Sequence, residues 1–349
     1  MSSNDRNIKL DILRILSALG VVALHVSSEF IDILPVGGID FNIAVFINSL
    51  TRFAVPVFVM ISGELFLDDK KEISVKKIWL HNILRLFIIY LIWSYGYYIF
   101  QSLYIWKFDF YKHGLVRTVT GIVYATNHLW FIWMIIGLYI LTPILKSWLK
   151  GADEKNIRYF IDIFFIFQIL RTTLTILINK SLTDEISKLV TITEISGYIG
   201  YYVLGFYLSK YRINKNLKIV LIAMLPVGIV FNFVCAAVLS KAKGTYDPGI
   251  YDSFGVFTFL LSVCLYLIVG SLSEKIKKGK PFIINLSKDT LGIYLVHIML
   301  LEVIKREFGL NFIGNSTVGI IVITLILFVI SVGISALLRR IPKAGRFLA

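Results

Sequence analysis

Cysteine, acidic residues and long polar stretches are all scarce in this chain. Only Cys235 and Cys264 occur among 349 residues, and both fall inside apolar blocks. Their scarcity excludes a disulfide framework and a site of paired thiolates, and both read as small core residues. Asp and Glu number 22 against 36 Lys and Arg, and charged residues of either sign make up 17% of the chain. A soluble domain carries about a quarter. No segment is long and polar enough for a separate soluble domain, and there is no tandem repeat or low-complexity linker. The first apolar block contains Asp11 and Arg14 and lacks a small-residue cleavage site. It is therefore expected to remain as a span rather than be removed as a signal.

What the chain has in excess is apolar. It is 57% hydrophobic, with a mean hydropathy of +0.78. The apolar residues come in blocks of about 20, the length that crosses a bilayer as a helix. Ten are legible, at roughly 9–30, 41–67, 81–105, 128–149, 157–178, 190–209, 217–240, 251–271, 289–305 and 316–338. The ninth is the shortest. The expected architecture is all-α: a polytopic membrane helix bundle of about ten transmembrane helices, forming one integral-membrane domain over residues 1–349.

The net charge of +14 is unevenly placed. With the N-terminus inside, 23 of the 36 Lys and Arg fall in inside segments and 9 in outside loops. The other four, Arg14, Arg52, Arg85 and Arg171, lie within spans. This is the positive-inside pattern, and it puts both termini in the cytoplasm. The charge thus points to a lipid bilayer and not to a nucleic acid. Three inside connections are strongly basic: Lys70-Lys71 with Lys76-Lys77, Lys210 to Lys218, and Lys275 to Lys280. Topology signals and lipid headgroup contacts account for them, and attraction of a phosphate-rich cytosolic ligand stays open beside that. The longest outside connection runs from Trp106 to Asn127. Its mildly apolar Gly114–Val123 stretch reads as interfacial or re-entrant.

Ionisable groups inside a bilayer are costly and usually retained for function. His25 follows Arg14 by eleven positions. At about 100° and 1.5 Å per residue, both lie on one helix face, about 16 Å apart along the axis. Asp11 is one turn before Arg14 on the same side. Span direction puts Arg14 and Arg85 in the inner half and Arg52 near mid-depth. His25, His128 and His297 fall in the outer half. Each has a structural alternative. A histidine can simply bridge helices, Arg14 or Arg52 can pair with Asp11 or a carbonyl, and Arg85 can snorkel to the headgroups. His81 and His113 lie near interfaces. Three histidines could hold zinc, but the neighbouring arginines oppose a divalent cation, so no metal is expected.

Four segments carry a resemblance. The first reads D-x-x-R-x10-H, with Asp11, Arg14 and His25; the second is TRFAVPVFVMISG, with Arg52, Pro56, Phe58, Ser62 and Gly63. The third is NHLWFIWMIIGLYILTP, with His128, Trp130 and Phe131; the fourth is LGIYLVHIMLLE, with Tyr294 and His297. In this order and at these intervals they resemble the acyltransferase-3 family, the integral-membrane O-acyltransferases of bacterial cell envelopes. The resemblance covers essentially the whole chain.

That resemblance implies a multi-pass protein of the bacterial cytoplasmic membrane. It implies an acyl group, usually acetyl, taken from cytosolic acyl-CoA (acetyl-CoA foremost) and delivered to a hydroxyl of an envelope glycan or lipid-linked sugar. Some members carry an extracytoplasmic SGNH domain. The chain ends at Ala349, soon after the tenth block, so the short stand-alone type is expected. A separate partner and a homo-oligomer both stay open. The implied site is Arg14, His25, Arg52, His128, Trp130 and His297. Arg14, Arg52 and Arg85 would bind the acyl-CoA donor, and basic residues at the cytoplasmic mouth would attract its phosphates. His25 would act as general base or form an acyl-imidazole. Trp130 N–H or Arg52 would meet the oxyanion, while His128 and His297 orient the acceptor or shuttle its proton. The alternative on the same fold is a transporter of a small solute such as an amino acid. A transporter expects matched broken helices. Pro56 and Pro226 could break spans 2 and 7, but no matched pair in two halves is legible.

Overall fold

The computed structural model describes residues 7–70, 72, 74–105, 127–177, 192–247, 253–342 and 344–348. The Gly114–Val123 stretch and His113 lie outside the described residues. Among those described, every regular element is helical. The order is α1 (Ile8–Ile33), α2 (Ile39–Thr51), α3 (Ala54–Phe66), α4 (Val75–Ile105), α5 (Trp130–Gly151) and α6 (154–177). Then come α7 (Ile192–Lys210), α8 (Lys215–Lys243), α9 (Val256–Ser273), α10 (Lys280–Ser287), α11 (Thr290–Glu307), α12 (Ser316–Arg339) and the short α13 (Gly345–Leu348). The protein is an all-α polytopic membrane bundle.

Seven of these runs are long and apolar enough to cross a bilayer, counting Ile39–Phe66 as one. The α10–α11 pair, bent by 57°, makes an eighth. Among the described residues, α6 and α7, which cover most of the other two expected spans, do not qualify by length and composition. The first opens with Glu154, Lys155, Arg158 and Asp162, and the second kinks at Gly197. Capping is local and conventional: Asn7, Asp153 and Asn315 side chains accept from Lys9, Asn156 and Val318 backbone N–H groups at 3.1, 2.8 and 2.9 Å.

The second span is broken. α2 stops at Thr51 and α3 starts at Ala54. Pro56 has no N–H with which to reach the Arg52 carbonyl one turn back. Val57 N–H resumes the ladder at 2.9 Å from Phe53 O. Arg52 is thereby left at the C-terminal end of α2, where a cation is favoured by the helix dipole. Pro226, by contrast, sits inside an uninterrupted α8. The other bend, at Lys288–Asp289, joins α10 to α11.

α1 is the central post, packing on α2, α3, α9, α10, α11 and α12. The tightest neighbours are α3 and α7. A Cβ at Gly63 would overlap the Tyr202 carbonyl, and one at Gly205 would overlap the Met60 carbonyl. Small residues at such crossings let backbones meet and replace the hydrophobic drive that lipid does not supply. Beside this seam, Lys9 of α1 pairs with Glu64 of α3 at 2.6 Å. Tyr266 of α9 accepts from Lys9 at 3.2 Å and donates to Glu64. The seam and this polar knot hold four helices at the end of α1 that carries Arg14.

Gly63→Leu should therefore lower thermal stability in detergent, by about 1–3 kcal/mol or more for overpacking. Gly137→Ala, where nothing lies within 4 Å of the added carbon, should be neutral. Equal melting temperatures for the two variants would show that the α3–α7 seam can open at no cost.

Candidate functional site

A cavity of about 470 Å³ opens between α1, the α2–α3 break, α4, α5 and α11. Its wall includes Arg14 and His25 from α1, Arg52 and Ala54 from the break, Arg85 from α4, His128 and Trp130 from the start of α5, and Tyr294 from α11. Six of the seven residues singled out in the sequence thus share one wall. The seventh, His297, is fully buried behind it. The wall carries three guanidiniums and no carboxylate, so it favours an anionic ligand or developing negative charge.

Arg14 is held from below. Its Nη1 donates to Asp11 Oδ1 at 2.9 Å. Asp11 is fully buried and accepts from Ser287 Oγ, at the end of α10, at 2.6 Å. The Arg14 side chain keeps a quarter of its surface exposed. Pairing with Asp11 therefore aims the arginine at the cavity without removing it.

Three imidazoles converge at the other end of the α1 face. The His25 and His297 ring centroids are 5.2 Å apart, and those of His128 and His297 are 6.2 Å apart. His297 Nδ1 lies 3.0 Å from Ile293 O. A carbonyl only accepts, so Nδ1 carries the hydrogen and Nε2 is the acceptor nitrogen. That Nε2 and the Nε2 of His128 are buried without a hydrogen-bond partner among the described residues. Tyr97 fixes His128 from one side, with ring centroids 4.6 Å apart, and itself donates to Leu295 O at 2.8 Å. Tyr294 donates its hydroxyl to the His128 carbonyl. No group of three or more His, Cys, Asp or Glu side chains among the described residues is arranged to hold a metal ion.

Arg52 stands between the two ends. Its Nε and Nη2 donate to Asn48 Oδ1 at 3.0 and 2.5 Å, and Nη2 reaches Tyr246 OH at 3.4 Å. Trp130 packs on Tyr198 with centroids 5.9 Å apart and is nearly half exposed at the cavity edge. Arg85 is exposed on α4 where it borders the cavity.

An acyltransferase-3 family model, described as an acyltransferase domain, matches residues 7–340. The chain belongs to the acyltransferase-3 family. It is a multi-pass membrane acyltransferase. No curated protein and no solved structure matches the chain.

Within this acyltransferase-3 protein the four sequence motifs meet around one cavity, but several groups that hold them were not singled out. Asn48 has a visible signal, since it precedes Arg52 by four residues and so shares its helix face. Ser287, Tyr97 and Tyr246 have none, because their partners lie on distant elements and aromatic residues fill 14% of the chain. Gly63, which closes the second motif, is accounted for by the α3–α7 contact and not by the cavity.

The Asp11 arrangement makes a graded expectation. Ser287→Ala removes one hydrogen bond to a charged group and should destabilise by about 1.5–3 kcal/mol. Asp11→Ala leaves a guanidinium without its buried counter-charge and should destabilise by about 3–5 kcal/mol. Unfolding in detergent would check this, and two unaltered stabilities would mean the pair behaves as an exposed one.

Proposed function

We propose that this acyltransferase takes an acyl group, acetyl foremost, from cytosolic acyl-CoA and passes it to a hydroxyl of an envelope glycan or lipid-linked sugar on the extracytoplasmic side. The observation that carries this reading is the shared cavity. Arg14 and His25, about three turns and 16 Å apart along α1, border one space together with Arg52, Arg85 and His128. A cation near the inner end and imidazoles near the outer end suit a donor and an acceptor that arrive from opposite faces of a bacterial cytoplasmic membrane, with both termini inside.

In this reading Arg14 and Arg85 bind the anionic donor, and the basic cytoplasmic connections raise its local concentration. The acceptor oxygen attacks the thioester carbonyl as His25 takes the hydroxyl proton. Arg52 or the Trp130 indole N–H donates to the carbonyl oxygen as it becomes an oxyanion. The C–S bond then breaks, the ester C–O bond is complete, and the proton on His25 returns to the departing CoA thiolate. His297 stands behind His25 with an acceptor nitrogen, and His128 borders the acceptor. The arginines that share the wall with the histidines oppose a divalent cation, so this reading uses no metal. The match to an acyltransferase domain favours transfer over a transporter on the same fold.

His25→Ala should abolish transfer from labelled acetyl-CoA while insertion and expression persist; full activity would remove His25 as the base. Arg14→Ala should weaken acetyl-CoA binding about 10- to 100-fold, the loss of one charge-assisted bond. An unchanged donor affinity would confine Arg14 to its structural pair with Asp11.

A further inference from the structure

Asn48 makes hydrogen bonds from both ends of its carboxamide close to the cavity, yet it does not border it. It is fully buried on α2, one turn before Arg52. Its carboxamide has two unlike ends and both are engaged. Oδ1 accepts from Arg52 Nε and Nη2 at 3.0 and 2.5 Å and from Tyr246 OH at 3.3 Å. Nδ2 faces α1, at 3.1 Å from Leu24 O, 3.0 Å from Ser27 Oγ and 2.9 Å from Ser28 Oγ. The two serine hydroxyls in turn donate to the same Leu24 carbonyl at 3.0 and 2.8 Å. That carbonyl belongs to the peptide leading into His25.

The direction of the amide is dictated by chemistry. Reversed, it would set N–H groups against the guanidinium N–H groups and a carbonyl oxygen against Leu24 O. Other side chains fail at one end. Aspartate lacks the donor for α1, serine is too short to span from Arg52 to Leu24, and leucine has neither group. Arg52 lies just past the end of α2, where the broken helix leaves it without a continuous scaffold. An oriented charge in a reaction site must be held to within about 0.5 Å.

We propose that Asn48 is a positioning residue: it ties the Arg52 guanidinium to the turn of α1 that carries His25, so that cation and imidazole face the reacting group as one unit. The proposal rests on the reading of Arg52 as a group that meets the reacting acyl centre. It adds the device that sets the spacing between Arg52 and His25 across two helices.

The test is a double-mutant cycle on the full chain in detergent. Release of CoA from acetyl-CoA would be followed with a detergent extract of the source membrane as acceptor. Asn48→Leu, which keeps the branched shape but neither polar group, should lower kcat on the order of 10²-fold, the scale of a small misplacement of a catalytic group. KM for acetyl-CoA should stay nearly unchanged. In an Arg52→Ala background the same substitution should cause no further loss, because Asn48 acts through Arg52. A loss that multiplies with Arg52→Ala, a loss confined to KM, or full activity of Asn48→Leu would each overturn the proposal. Full activity of Arg52→Ala alone would instead overturn the role of Arg52, and with it the proposal's basis. If Asn48→Leu is not recovered as a monodisperse protein, Asn48→Ser takes its place in the cycle with the same expectations.

Discussion

A guanidinium inside a membrane must be matched by acceptors, and much of this bundle is arranged to do so. An unmatched arginine at the bilayer centre costs about 2.5–3.5 kcal/mol on insertion scales and far more in an isolated helix. Arg14 is matched by a buried Asp11, and Asp11 by Ser287 of α10. Arg52 is matched by the Asn48 carboxamide and Tyr246. Each acceptor is then bound to another helix, so the requirement of two arginines fastens α1, α2 and α10 together. The cavity wall and the helix packing are consequences of the same electrostatic demand.

The rest of the frame supplies rigidity by different means. Lipid is as apolar as a leucine side chain, so apolar area alone does not drive helices together in a bilayer. The α3–α7 seam instead relies on backbone contact at Gly63 and Gly205. The Lys9, Glu64 and Tyr266 knot adds a polar fastening next to it. α8 shows the complement: residues such as Val227, Val230 and Val238 are more than a third exposed, as suits a helix facing hydrocarbon. Interior precision and lipid-facing looseness thus divide between elements of similar hydropathy.

Chemically, the site is graded along α1. The Arg14 end is cationic, and the other end of the same face meets a group of close-packed imidazoles backed by Tyr97 and Tyr294. Such a gradient suits transfer between an anionic donor and a neutral hydroxyl acceptor. The break at Arg52–Phe53 gives the cation between these zones a position that a continuous helix would not provide. Membership of the acyltransferase-3 family gives membrane acyl transfer, and the proposed donor and acceptor are read from this arrangement of charge.

The bilayer-length blocks, the all-α class, and the single helix face shared by Arg14 and His25 were legible residue by residue. These depend on hydropathy and on 3.6-residue periodicity, both local properties of a chain. The family could be read too, because its motifs are short and ordered. What the sequence by itself determined, then, was which residues had to be kept from lipid and on which face of each helix they lay. Which of them meet was decided by tertiary structure alone. His297 behind His25, Ser287 on Asp11, and Asn48 between Arg52 and Leu24 join residues on separate elements, in most cases from distant parts of the chain. Pairing across helices depends on how they cross, and that is set by glycine seams and buried acceptors that act only once the chain has folded.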